Sequence, residues 1–334
     1  LLDFHESGLR LKATDLDHSI VEEVSAEVDT LGEVAVPAVT LGDIVRKSAD
    51  AAILEFSLAD KGSKLIVIAG KSKFELSTLD HSDFPEIAFL KGACCFNVKS
   101  ADLNKLISRT RFSMSPEENR HNLNGIYLHK EDDKLKAAST DGHRLSFSEI
   151  NIGMKESMQG IIISKKTVFE VKKLLDIFQN DAAVAFSSNQ IQFTFGNVVF
   201  ISKLVDGNFP DYKRVIPETT SEFFIVKRLD FLEIIDRVAV ISDDKIRSVK
   251  LELGKNNLSC YVANSKIGSG RDEVEVIYPG QGWNSGFNAS YLLDVAQTLQ
   301  GESLKIYVKE SLSPILIVDE SEPESLFVVM PMRI

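Results

Sequence analysis

The sequence predicts an α+β chain built from three repeats of about 125 residues, because three separate signals recur along its 334 residues. The first is a strand closing on a small polar corner: LRLKATD (residues 9–15), LKAASTD (135–141) and LSCYVAN (258–264). Leu9 to Leu135 is 126 residues and Leu135 to Leu258 is 123, the size of a whole domain and too long for a solenoid unit. The second is an apolar residue, a polar gap and a helix-period run, in VPAVTLGDIVRK, ISKKTVFEVKKL and FNASYLLDVAQT. The third is STLDHSDFPE (77–86), which aligns without gaps to SKLVDGNFPD (202–211). Both end in Phe-Pro after a turn-prone cluster, as a strand leaving its sheet does.

Taken in order, the first unit (1–92) starts at the hairpin LLDFHESGLRLKATD, continues through the helix after Val36 and adds the alternating strand KLIVIAG. The second unit (93–217) opens on CFNVKSADLNKLISRTRFSM, a strand followed by a helix near residues 100–112. Its later helix sets Val168, Val171, Leu174 and Leu175 at three- and four-residue steps, so one face packs inward, and Ser164 sits at the N-cap. The strand QIQFTFG follows. The third unit (218–334) opens likewise with FFIVKRLDFLEIIDRVAV, caps its second helix with Asn288 and adds the strand PILIVDE. The first unit lacks the strand-and-helix opening of the others. Such a segment is expected to be missing from it, removed or not supplied, and a first residue of Leu1 points the same way.

A chain of this length exceeds one core, since cores stop growing near ~250–300 residues. With 44% hydrophobic and 26% charged residues, Gly 19 and Pro 9, it should be folded nearly throughout. Lys+Arg 38 against Asp+Glu 49 leaves a net charge of -11, which argues against gripping nucleic acid by bulk charge. Cys94 and Cys95 are adjacent and Cys260 stands alone, so no zinc spacing or disulfide framework exists and a reducing cytoplasm fits best. No apolar run nears the ~18 residues of a membrane span and no signal peptide opens the chain, so a soluble intracellular protein is expected. No cofactor is expected, and without a GxxxxGK[ST] segment any ATP chemistry must come from elsewhere.

The stretch STDGHRLSF (139–147) tempts with a hydrolase, since Ser139, Asp141 and His143 would share one face of an extended strand. Gly142 breaks that strand, no GxSxG elbow exists, and the aligned copies keep Asp15 and Asn264 but no histidine. An Asx-type turn at Asp141 explains all three corners. The hydrolase remains as an alternative that predicts turnover lost on His143→Ala, and a scaffold of repeats that forms no ring remains as another.

The GHRL corner, KLVDGNFPDYKRVIP and the terminal VVMPMRI together resemble the beta subunit family of bacterial DNA polymerase III, the sliding clamps and processivity factors, over the full chain. The resemblance implies three clamp domains per protomer, with antiparallel sheets outside and two helices inside, in a head-to-tail homodimeric ring around double-stranded DNA. It implies a bacterial cytoplasmic, non-catalytic subunit. Implied partners are the polymerase III alpha subunit, the clamp loader complex, and other polymerases, ligase and mismatch-repair proteins that bring clamp-binding peptides.

By the same resemblance the peptide groove takes Leu123, Thr140, Gly142, His143, Arg144, Leu145, Pro210, Arg214, Val215, Leu312, Pro314, Val328, Val329, Met330, Pro331, Met332 and Arg333. Valine, leucine and adaptable methionine suit apolar side chains, and the arginines would supply polar contacts at its edges. Pro314 departs from the family. DNA-facing positions would be Arg46, Lys47, Lys105, Arg109, Arg111, His121, Asn122, Lys165, Lys166, Lys172 and Lys173. The dimer contact would pair Lys71, Lys73, Phe74 and Leu76 with Val240, Ile241, Asp272 and Glu273. The plainer readings are core residues for Phe74 and Leu76, a buried edge strand for LFVVM, and a solvated face for the helical lysines.

Overall fold

A computed structural model describes residues 1–48, 53–59, 62–90, 94–153, 158–243 and 247–333. The first repeat runs β1 (Leu2–His5), β2 (Gly8–Thr14), β3 (His18–Val24), β4 (Gly32–Val34), α1 (Ala38–Lys47), β5 (Leu54–Ala59), β6 (Lys64–Ala69) and β7 (Ser72–Ser77). The second runs β8 (Cys94–Val98), α2 (Ser100–Thr110), β9 (Gly125–Glu131), β10 (Lys134–Thr140), β11 (Arg144–Asn151), β12 (Ile161–Ser164), α3 (Lys165–Ile177), β13 (Ala182–Phe186), β14 (Gln190–Phe195) and β15 (Val198–Lys203). The third repeats that order as β16 (Phe223–Lys227), α4 (Arg228–Ala239), β17 (Ser248–Gly254), β18 (Asn257–Asn264), β19 (Gly268–Glu275), β20 (Trp283–Asn288), α5 (Ala289–Thr298), β21 (Ser303–Tyr307), β22 (Ile315–Val318) and β23 (Ser325–Val329). The expected boundary at 92/93 lies outside the described residues.

The elements gather into two compact units, residues 1–97 with 180–203, and 98–179 with 204–334. The first unit holds an eight-stranded sheet, β4-β1-β2-β3-β15-β14-β13-β8, and a three-stranded sheet, β5-β6-β7. Its core centres on Leu2, Leu9, Val34, Ile44, Leu65, Val67 and Leu76. The second unit holds the eight-stranded sheet β12-β9-β10-β11-β23-β22-β21-β16 and the four-stranded sheet β19-β18-β17-β20, every described pairing being antiparallel. In both large sheets the strand after a polar corner, β3 or β11, pairs with the last strand of the following repeat, β15 or β23. One repeat thus hands its sheet to the next.

Local chemistry explains the elements. In β6, β14 and β17 burial alternates residue by residue, the pleat turning every second side chain inward. In α3 the buried positions are Thr167, Val168, Val171 and Leu175, close to the inward face read from spacing. The Ser164 hydroxyl accepts from Thr167 N and the Asn288 side chain accepts from Ser290 N, which satisfies donors the first helical turn leaves open.

A candidate peptide groove and its flanks

The three corners close in nearly the same way. Asp141 Oδ1 accepts from His143 N at 2.9 Å and Arg144 N at 3.0 Å, as Asp15 Oδ1 accepts from Asp17 N at 3.1 Å and His18 N at 2.7 Å. The Thr140 hydroxyl accepts from Gly142 N and donates to Arg144 O, as Thr14 does with Leu16 N and His18 O. Asn264 makes the shorter version, accepting from Lys266 N. The turn drives residue 142 to φ +91°, free for glycine, and Leu16 to φ +76°, which strains a leucine. No hydrolytic triad forms here, because Ser139 is fully buried with its hydroxyl turned to Thr110 O and the Asp141 carboxylate is spent on the turn and on Arg144 Nε.

Beside this corner β11 and β23 lie edge to edge, with Leu145 opposite Val328 and Phe147 opposite Leu326. Met330 N donates to His143 O and Met332 N to Gly286 O, so the residues after β23 stay pinned to the sheet. The groove floor is the buried pair Leu145 and Val328, while Val329, next along β23, turns to the opposite face and packs in the core of the third repeat. The groove rim leaves apolar surface in water: Leu312 is 63% exposed, Val215 50% and Met330 37%, with Leu123, Pro314, Pro331 and Met332 half-buried. Pro210, Gly142, His143, Arg214 and Arg333 are exposed. Arg144 departs from the edge role expected of it. Its guanidinium turns inward, to Asp141 Oδ2 at 3.0 Å, Asp294 Oδ2 at 2.5 Å and Phe112 O at 2.6 Å, with the Tyr291 ring 4.3 Å away. The hydrogen-bonding reach of the rim therefore falls to Arg214 and Arg333.

Sequence reasoning missed the aromatic cluster under one wall. Tyr212 is buried with Ala138, Leu145, Leu316 and Val328, and Tyr127, Phe147 and Phe209 pack against them. His129 Nε2 lies 2.9 Å from the Tyr212 hydroxyl. The available signal was the alternation Tyr127, His129, Glu131 along β9. Burial, then the positive charge of Lys213, holds the His129 imidazole below its ordinary value, with Lys136 adding and Glu131 opposing. The unfolded chain consequently takes up this proton first as pH falls, and stability should decline once pH drops below about 6.5, the free imidazole value. Urea unfolding between pH 7.5 and 5 should show that decline, and His129→Gln should flatten it. Lys136 and Lys213 both bond Glu131 and pull its carboxyl down to about 2.

The basic helices divide. Arg109, expected to face DNA, is instead 5% exposed and holds Glu322 in two bonds, Nε to Oε2 at 2.8 Å and Nη2 to Oε1 at 2.7 Å, with Nη1 on Thr298 O. Lys105 pairs with Glu324 and lies 3.4 Å from Glu322. These two α2 residues tie the second repeat to the third. Asn122 donates its amide to Asn208 O, while His121 is exposed. Arg111 sits 5.8 Å from the Phe169 ring. On α3, Lys172 pairs with Asp176 and Lys173 with Glu170, while Lys165 is half-buried and Lys166 exposed. Arg46 pairs with Asp43, and Lys47 is exposed.

Of the remaining residues, Lys73, Phe74 and Leu76 lie on β7 with Lys71 just before it, Asp272 and Glu273 lie on β19, and Val240 and Ile241 follow α4. Among the described residues β7 borders β6 alone and β19 borders β18 alone, so both are sheet edges. Lys71 and Lys73 are exposed, Leu76 is 9% exposed in its own core, and Phe74 is half-buried against that same core. Val240 is 80% exposed, and Ile241 is half-buried. Asp272 bonds Arg237 at 2.7 Å, and Glu273 bonds Arg271 at 2.9 Å, so both expected partners of the lysines already hold arginines.

Three family models match in tandem: the DNA polymerase III beta subunit N-terminal domain over residues 1–88, its central domain over 97–211 and its C-terminal domain over 213–333. The chain is 37% identical over 339 residues to the beta sliding clamp of Caulobacter vibrioides, covering 100% of this chain and 91% of that one. It is 34% identical over 336 residues to that of Escherichia coli, with the same coverage. A sliding clamp from Bartonella birtlesii, solved bound to griselimycin, superposes with TM-score 0.95 at 38% identity over 100% of this chain and 90% of the other. One from Pseudomonas aeruginosa superposes with TM-score 0.94 at 33% identity over 100% and 91%.

Proposed function

The chain belongs to the beta subunit family of bacterial DNA polymerase III, and from that premise we propose how its surfaces divide the work of a sliding clamp. The protein is a non-catalytic processivity factor of DNA replication, in a family whose members form dimeric rings, and its general partners are DNA and a polymerase. The exposed apolar rim over a buried floor at the β11–β23 seam carries the docking proposal. A short peptide with a glutamine for the arginine-lined rim and leucine and aromatic side chains for the floor fits its chemistry. The alpha subunit, the clamp loader complex, other polymerases, ligase and mismatch-repair proteins would share this groove through such peptides, in the bacterial cytoplasm.

DNA is retained by closure of the ring, so strong phosphate contacts are unnecessary and a net charge of -11 is tolerable. Weak contacts fall to Lys165, Lys166, Lys172, Lys173, Arg111, Arg46, Lys47 and His121. Arg109 is left out because it is buried on Glu322, and Lys105 because two carboxylates from across the chain hold it, whereas Lys172, Lys173 and Arg46 make only local pairs along their own helices, which are worth little in water.

Fluorescence anisotropy of a labelled peptide of the glutamine-leucine-aromatic type tests the groove. Binding in the micromolar range, about −8 kcal/mol, is expected. A version ending at Val328 should lose it while keeping its unfolding transition. An intact protein that leaves the peptide free far above that concentration would remove the docking proposal and leave the repeat fold standing.

A further inference from the structure

Resting on that groove, we infer that the outward face of β9 is a positioning platform, on which Tyr127, His129 and Glu131 fix the wall that presents Pro210, Arg214 and Val215. Alternate residues of a strand share one face, and here each of the three meets a different residue of the connector that crosses it. Tyr127 stacks on Phe209 with centroids 5.0 Å apart and planes 2° from parallel. His129 Nε2 meets the Tyr212 hydroxyl at 2.9 Å. Glu131 takes Lys213 Nζ on both oxygens, at 2.7 and 2.9 Å, and Lys136 Nζ at 2.6 Å. Gly160 leaves the Tyr127 ring its place, since a Cβ there would fall 2.0 Å from the hydroxyl.

Anchors and rim residues interleave along the connector. Pro210 lies between the anchored Phe209 and Tyr212, while Arg214 and Val215 follow Lys213 directly, in the 3-10 turn Tyr212–Val215. Side chains that touch no partner therefore hold those that do, and they order the wall before a peptide arrives, which lowers the entropy lost on binding.

The repeat fold does not demand this ladder. The aligned positions in the first repeat are Leu1, Asp3 and His5, and Ile87 and Ala88 stand where the second repeat has Tyr212 and Lys213. His5 bonds Ser7 and Glu23 instead. The platform is present where the groove is and absent where the first repeat has none of the groove residues assigned above.

The same labelled peptide tests the inference on the intact protein. Tyr212→Phe removes one hydroxyl, His129→Ala removes its partner, and His129→Gln restores a hydrogen-bonding end. His129→Ala and Tyr212→Phe should each weaken binding about tenfold, the scale of one buried hydrogen bond that orders a site. The double variant should lose little more than either single one, and His129→Gln should recover most of the affinity, with urea midpoints showing all variants folded. Wild-type affinity in both single variants would overturn the platform. So would additive losses without rescue by Gln, the signature of a generally loosened core. A wild-type protein that fails to bind the peptide would fell the groove reading itself, a result distinct from either.

Discussion

Arg109→Ala should lower the unfolding free energy by about 3 kcal/mol, the low end of the ~3–5 kcal/mol lost when one partner of a buried ion pair is removed. The side chains of Arg109 and Glu322 are 6% and 7% exposed. Removing the guanidinium leaves a carboxylate in a place water does not reach and takes a donor from Thr298 O. The low end applies because Lys105 Nζ, 3.4 Å from Glu322, stays as a partial counter-charge. Removing both partners, as in Arg109→Met with Glu322→Leu, should cost much less than the single change, since no charge is then stranded. Urea unfolding of the three proteins checks this. A single-variant loss below about 1 kcal/mol would mean that water reaches Glu322 and the pair behaves as a surface bridge. The same variant separates structure from DNA contact: weak DNA binding at low salt should survive Arg109→Ala in folded protein and fall on joint neutralisation of Lys172 and Lys173.

Phe74→Asp should weaken self-association at least about 100-fold, the loss expected when an aromatic anchor at the centre of an interface gives way to a buried charge. Internal symmetry supplies the reason. The β3–β15 seam sets Phe200 opposite Ile20, and the β11–β23 seam sets Phe327 opposite Ser146. Phe200 stands two residues past the turn between β14 and β15, and Phe74 two residues past the turn between β6 and β7. The position on β19 that corresponds to Ile20 and Ser146 by ladder pairing is Gly270, opposite Val262 as Ile20 is opposite Ala13 and Ser146 opposite Ser139. Pairing β7 of one copy with β19 of another in the register of the inner seams therefore lays Phe74 on a residue with no side chain. Ile241 waits beside it, its Cδ1 2.9 Å from where a Cβ of Gly270 would stand. That register also brings Lys71 opposite Glu273. Light scattering across a dilution series reads the dissociation constant. An unchanged constant would rule out this register.

Much of the architecture was legible because it is written locally or repeated. The three corners were readable from Asp15, Asp141 and Asn264, since an Asx turn is a bond between near neighbours. Helix caps at Ser164 and Asn288 and the inward face of α3 follow from spacing alone. What failed was charge. Arg109 and Glu322 are 213 residues apart, and Arg144 and Asp294 are 150, so nothing near either arginine announces its partner. A basic residue on a helix reads as a solvated or DNA-facing group by default, and only the third dimension reveals that it is a bolt. Leu76 failed in the opposite sense: it shares one face of β7 with Phe74, but only the sheet beneath shows that Leu76 is buried in its own core while Phe74 is half-open at the edge. The connector aromatics were hidden for a similar reason, because NFPDY reads as a polar turn until β9 is set under it.

The seam that joins consecutive repeats has a consequence for construction. Each repeat carries one strand that receives a neighbour and one that is received, like a monomer with two unlike ends. Growth by this rule is directional, and the pairing proposed between chains, β7 on β19, would be of the same kind as the seams inside a chain. Covalent continuity is then a detail of inheritance. A gene that encodes two copies in series, joined by a flexible linker from the end of one to the start of the next, would need no new contact surface to make the circle from a single polypeptide. It would also turn one of the two intermolecular closures into an intramolecular one, so that dilution no longer opens it.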